Sequence, residues 1–157
     1  MNIASLFRIS ASGLEAERTR LETISTNIAN ANATRTPEGG AYRRRVPVFQ
    51  SVNFTEAFEG ALGQERADAM AVVRVKDIAL DGGPMPLVYD PGHPDADENG
   101  YVEMPNVNPV QEMVDMLSAS RSYEANLAAA ETSRDQAASG FSGTPDSRPS
   151  RPTTMVF

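Results

Sequence analysis

The sequence predicts a mainly α fold with a small β insertion. Long N- and C-terminal helices pair as an antiparallel coiled-coil-like hairpin, and a small β-rich middle segment joins them. Three observations predict it. An apolar stripe with heptad-like spacing runs along the first thirty or so residues. A second stripe, with a capping signal before it, occupies the region after Asn108. Between them, Gly- and Pro-rich turns separate short runs of valine. The expected divisions are 1–34, 35–106, 107–138 and a Gly/Pro/Ser tail at 139–157.

In the first segment Ile3, Phe7, Leu14, Leu21 and Ile28 recur at spacings of four or seven. Ile24 and Ala31 fill the second register, while Ser10 and Glu17 leave it polar earlier. Glu15, Thr19, Glu22 and Thr26 take the opposite face, and Arg18 and Arg20 flank the stripe. Gly13 costs about 1 kcal/mol of helix propensity relative to alanine, so a bend or close contact is expected there. Such a helix would be about 45 Å long, and a stripe of that length needs a partner. It ends in STNIANANAT, where Asn30, Asn32 and Thr34 compete for backbone hydrogen bonds and read as the frayed exit.

In the last segment Asn108 is placed to cap a helix, with Pro109 at its first position and Glu112 just after the first turn. Met113, Met116, Leu117, Ser120, Tyr123, Leu127 and Ala130 form its stripe, with Arg134 on the seam and Gly140 as a stop. Burying one Leu or Ile fully contributes roughly 1.5–3 kcal/mol, so a few such residues matter. Two helices alone still make a thin core. Surface left by the alanines and methionines calls for neighbouring subunits. The alternative is an ordinary hairpin packed on its own middle region.

In the middle, Thr36-Pro37-Glu38-Gly39-Gly40 reads as a turn. Tyr42, Val46, Val48 and Val52 then share one parity, and Pro47 marks an edge strand. A second strand is expected over AMAVVRVKDIAL, with Val73 and Val75 on one face, and shorter extended pieces over 84–89 and 101–104. Residues 139–153 are expected to be flexible or extended, followed by the apolar tip Met155-Val156-Phe157.

Composition narrows the function. The chain of 157 residues carries a net charge of −7, against general phosphate-backbone binding. It has no cysteine, which excludes disulfides, thiolate metal sites and cysteine nucleophiles. The N-terminal stretch lacks the pattern of a cleaved signal peptide, and no apolar run is long enough to span a membrane. Asp95–Gly100 fits the first half of a calcium loop, but position twelve is Asn106 and the preceding DPGHP is no entering helix. His93 with Asp95 or Asp97 is weighed as a hydrolytic group, without any supporting motif. Arg43-Arg44-Arg45 is a weak nucleic-acid signal, explained as well by salt bridges to a neighbouring acidic subunit. No catalytic, cofactor or metal residues are assigned, and no nucleic acid or small-molecule substrate is expected.

Residues 6–34, above all Gly13-Leu14 and LETISTNIANANAT, resemble the N-terminal motif of bacterial flagellar rod and hook proteins. Tyr42–Gln50, the stretch YDPGHPDADENGYVEMPNVNPVQEMVDM and SASRSYEANL narrow the resemblance to the basal-body rod proteins, on the proximal side. The resemblance covers roughly residues 2 to 135 and implies a structural subunit without enzymatic activity. It implies export by the flagellar type III apparatus without a cleaved signal peptide, and a place in the rod that spans the periplasm. The terminal helices would stack as the inner tube of a drive shaft transmitting torque to hook and filament. Copies of the chain itself, other proximal rod proteins, the rod–export-gate adaptor and the distal rod protein are the implied partners. The expected assembly interface comprises Phe7, Leu14, Leu21, Ile24, Ser25, Asn27, Ile28, Asn30 and Thr34, with Met113, Met116, Leu117, Tyr123 and Leu127. One departure from the family is the polar run from Glu131 to Gln136 and the tail after it, where family members continue an apolar helix. A soluble adaptor or chaperone-like binder using the same stripes is the alternative.

Overall fold

The structure, a computed structural model, describes residues 3–53 and 71–141. The sequence expectations for the start of the second strand at 69–70 and for the tail beyond 141 lie outside the described residues.

Helix α1 spans Ile3–Ala29 and helix α2 spans Pro109–Phe141. They pack against each other in opposite directions: Asn27 near the end of α1 bonds Glu112 at the start of α2, and Gly13 lies against Asn126. At the crossing the contact is made by small side chains. Ala16 and Ala119 are buried, and a Cβ on Gly13 would sit 3.0 Å from Nδ2 of Asn126. Small residues let two backbones approach closely, so the pair is closer to an alanine-type seam here than to a leucine seam.

Helix α2 begins as its sequence predicts. The Asn108 side-chain oxygen accepts from the backbone N–H groups of Val110 and Gln111, at 3.1 and 3.3 Å. These are donors that the first helical turn leaves unpaired. At its other end the helix passes through Gly140 and reaches Phe141. Residues 139–141, read from sequence as the start of an extended tail, are therefore helical.

Strand β1 (Arg45–Asn53) pairs antiparallel with β2 (Ala71–Leu80), and this hairpin lies along α1. A register shift between Val48 and Phe49 interrupts the ladder. Val48 and Phe49 face Asp77 and Val75, so the extra residue is Lys76 of β2, and the side chains of β2 change face there while β1 runs on unbroken. Val72 is the buried valine of β2, while Val73 is exposed and Val75, expected on the same face as Val73, is half-buried. A separate small ladder joins β3 (Leu87–Tyr89) to β4 (Tyr101–Glu103), with Val102 buried beneath it. No described helix is long and apolar enough to cross a membrane.

Candidate assembly interface

The asparagine-rich end of α1 is a junction. Asn30 N–H is shared between the carbonyls of Thr26 and Asn27, and Ala31 and Ala33 bond three residues back to Ile28 and Asn30. The helix thus tightens and stops. Thr34 then donates to Asp95 at 2.8 Å, and Arg35 pairs with the same carboxylate at 2.6 Å. The turn that follows needs positive φ at Gly39 and Gly40, a conformation that favours glycine. Beyond it, Tyr42 N–H returns to the carbonyl of Ala33 at 2.9 Å.

Asn27 is the centre of this junction. Its side chain is buried and makes hydrogen bonds with both ends of the amide. Oδ1 accepts from the Tyr42 hydroxyl and from Arg45 N–H, both at 2.9 Å. Nδ2 donates to the Arg45 carbonyl at 2.9 Å and to Glu112 at 3.0 Å. One side chain thereby ties α1, the start of β1 and the start of α2. Only an amide offers both donors and acceptors in this short fork.

Arg44 fastens the same corner. Its guanidinium meets Glu112 at 2.6 Å, Asp81 at 3.3 Å and Asp115 at 3.5 Å. Asn106 brackets it, accepting from Arg44 N–H at 2.8 Å. From sequence, salt bridges to a neighbouring acidic subunit were weighed for the arginine run beside a nucleic-acid contact. The structure pairs Arg44 within its own chain, because β1 begins beside the first turn of α2. Arg43 donates to the carbonyls of Asp81 and Gly83, and Arg45 lies over the Tyr42 ring at 5.8 Å. The run of arginines is therefore spent on separate contacts.

Protonation at the corner follows this geometry. Burial raises the Tyr42 pKa, Arg45 opposes the shift, and Glu112 adds to it. Burial draws the Arg44 pKa down, but hydrogen bonds and charge from Glu112 and Asp81 outweigh it, so the net direction is up. Asp81 is held below the ordinary carboxylate value by the Gly83 N–H and then by Arg44.

The remaining interface candidates separate into classes. On α1, Ile24 is buried beside Ala16, Thr23 and Ala31, while Phe7, Leu14, Leu21 and Ile28 are half-buried. Ser25 is exposed, and Asn30 and Thr34 are half-buried. On α2, Met116 and Tyr123 lie partly covered on the side that carries Glu112, Ala119 and Asn126 toward α1. Met113, Leu117 and Leu127 are exposed, and the first two join Val110 and Val114 in a stripe that sequence reading did not single out. Positions 110, 113, 114 and 117 share one helical face, turned about 100° per residue from their neighbours. Exposure along this stripe is 70% at Val110, 54% at Met113, 55% at Val114 and 61% at Leu117.

His93 Nδ1 accepts from Asp95 N–H at 3.1 Å, and Asp97 Oδ1 accepts from Asn99 and Tyr101. These groups shape the 90–100 loop. Among the described residues no group of acidic or histidine side chains is gathered for a metal.

Comparison with known proteins bears on the same ends of the chain. Residues 7–35 match the family of flagella basal body rod proteins, and residues 98–140 match the C-terminal family of flagellar basal body rod FlgEFG proteins. A flagellar basal-body rod protein FlgC of Borreliella burgdorferi is 46% identical over 132 residues, covering 80% of this chain and 87% of that protein. The FlgC of Agrobacterium fabrum is 44% identical, covering 87% of this chain and 91% of its own length. This chain belongs to the FlgC family of flagellar basal-body rod proteins. A third FlgC, of Salmonella typhimurium, is 42% identical over 127 residues, covering 81% of this chain and 87% of that protein. The two segments matched by the rod-protein families contain most of α1 with its exit, and β4 with nearly all of α2. The junction at Asn27 and Glu112 falls within them.

Proposed function

We propose that this rod subunit polymerises through the outward faces of its paired terminal helices, forming part of the drive shaft that carries torque to hook and filament. The exposed stripe Val110, Met113, Val114 and Leu117 carries the reading. Pairing of α1 with α2 leaves it uncovered, and an apolar helix face of this kind gains stability only by meeting another surface. Half-buried Phe7, Leu14, Leu21 and Ile28, with exposed Leu127, extend the surface available to neighbours. The buried polar corner holds the two helices in one orientation, which a torque-bearing subunit requires.

In this reading the partners are copies of the chain and the adjoining rod proteins, among them the rod–export-gate adaptor and the distal rod protein. The subunit leaves the cytoplasm through the flagellar type III apparatus without a cleaved signal peptide and takes its place in the rod within the periplasm. Its role is structural, with no catalysis, cofactor, nucleic acid or small-molecule substrate. Family membership gives no support to a soluble adaptor that works through the same stripes.

Leu117→Asp tests the proposal. The residue is exposed, so the isolated chain should keep its fold and its export. Basal bodies isolated from cells producing the variant should lack it, and the cells should be non-motile. Normal amounts of the variant in purified rods would overturn the reading.

A further inference from the structure

We propose that the exposed face of the β3–β4 ladder binds the Arg-Pro segment Arg148–Pro152 of a second copy of this chain, an inference that rests on the reading of the chain as an assembling subunit. Cross-strand pairing of Leu87 with Glu103 and of Tyr89 with Tyr101 builds this face. The tyrosine rings meet edge to face, with centroids 5.3 Å apart. They are left open to solvent, with Leu87 67%, Tyr89 64% and Tyr101 43% exposed. From Leu87 to Asn108 the sequence contains several acidic residues but neither lysine nor arginine. Asp95 is taken by Arg35. Asp90, Glu98 and Glu103 are exposed and make no ion pair among the described residues. The surface thus offers aromatic and aliphatic faces within an acidic setting.

The complementary chemistry stands in the same sequence. Arg148-Pro149-Ser150-Arg151-Pro152 is a P-x-x-P segment bearing two arginines. P-x-x-P peptides are recognised by aromatic surfaces, which receive proline rings well. Guanidinium groups stack on tyrosine and pair with carboxylates. The segment also lies beyond the portion matched to the rod C-terminal family, which ends at residue 140.

Chain geometry makes the contact one between copies. The 33-residue helix α2 is about 50 Å long, at 1.5 Å per residue. The 90–100 loop is tied to the exit of α1 through Asp95, and that exit lies at the start of α2. The tail departs from the other end. Even fully extended, the path from Phe141 to Arg148–Pro152 spans only roughly 25–40 Å. A chain's own segment therefore falls short of its own patch, whereas a neighbour's can reach it. A head-to-tail contact of this kind joins each copy to the next, giving a ring where the rotation closes and an open filament where it does not.

A fluorescent peptide of residues 142–157, titrated with the full chain by anisotropy, tests the inference. The chain used as receptor carries Arg148→Glu and Arg151→Glu, which prevents its own segment from competing. Saturable binding is expected, weakened about tenfold or more by Tyr89→Ser or Tyr101→Ser in the receptor and by the two Arg→Glu changes in the peptide. No saturable binding, or binding indifferent to both sets of changes, would overturn it. So would a wild-type chain that, when highly diluted, still excludes the peptide while the receptor variant binds it, because the segment would then be bound within its own molecule. Rod incorporation of Leu117→Asp reads the broader function independently, since Leu117 belongs to neither partner of this contact.

Discussion

At the scale of single residues, Asn27 sets the strictest condition. Replacing it by alanine strands the buried Tyr42 hydroxyl and leaves the part-buried Arg45 backbone groups without their partner. Each unsatisfied buried group costs about 1–3 kcal/mol, so Asn27→Ala should lower the denaturation midpoint clearly. Asn27→Asp keeps the acceptor but sets a carboxylate against Glu112 in place of a donor, and equilibrium urea unfolding should rank it no better than alanine. Arg44→Ala should cost about 3 kcal/mol by leaving Glu112 buried without its cation, measured in the same way. The pH dependence follows from the directions of shift. Asp81 has a lowered pKa in the folded chain, so its contribution is present above the ordinary value of 3.8 and fades as pH falls through the lower folded value. Tyr42 has a raised pKa, so its contribution is present below the ordinary value of 10.0 and is lost as pH rises through the higher folded value. Thermal unfolding followed against pH should show the alkaline loss in the wild type and a smaller one in Tyr42→Phe. The identities of these residues were visible in the sequence, but their partnership was not. Asn27 is separated from Glu112 by 85 positions, and no local pattern links them.

At the scale of elements, the helices were legible because their caps and periodicity are local properties. Asn108-Pro109 announced the start of α2, and the structure uses the asparagine oxygen as expected. The pairing face of α2 was harder to read. Its sequence mixes Glu112, Ala119 and Asn126 into the covered side and leaves valine and methionine outside. Hydrophobicity alone selects the outer face, where Val110, Met113, Val114 and Leu117 stand exposed. The irregularity in β2 at Lys76 was not legible for a different reason: it depends on pairing with β1, which alternation within one strand does not reveal. Gly13 tests the helix contact. Gly13→Ala adds helix propensity of about 1 kcal/mol against a 3.0 Å approach to the end of the Asn126 side chain, and should leave stability within about 1 kcal/mol of wild type. Gly13→Leu brings a branched side chain to the same place and should separate the helices, lowering the thermal midpoint by several degrees.

At the scale of the whole molecule, the chain is a helix pair with two small ladders at its side and limited buried apolar volume. Among the described residues its fold is completed by polar contacts at one corner, and an uncovered apolar stripe lies on α2. The expectation of a rod subunit came from the N-terminal motif and from stretches at 42–50, 89–116 and 118–127, and the similarity to FlgC proteins places the chain in that family. What sequence did not convey is the division of labour: Asn27 and Arg44 work within the chain, while Val110 and Val114 stand outside it. Electron cryomicroscopy of isolated basal bodies, at a resolution that traces side chains, tests this division most directly. The account predicts Val110, Met113, Val114 and Leu117 packed against a neighbouring subunit, with Asn27 still bonded to Glu112 of its own chain. A rod in which that α2 stripe faces open solvent would contradict it.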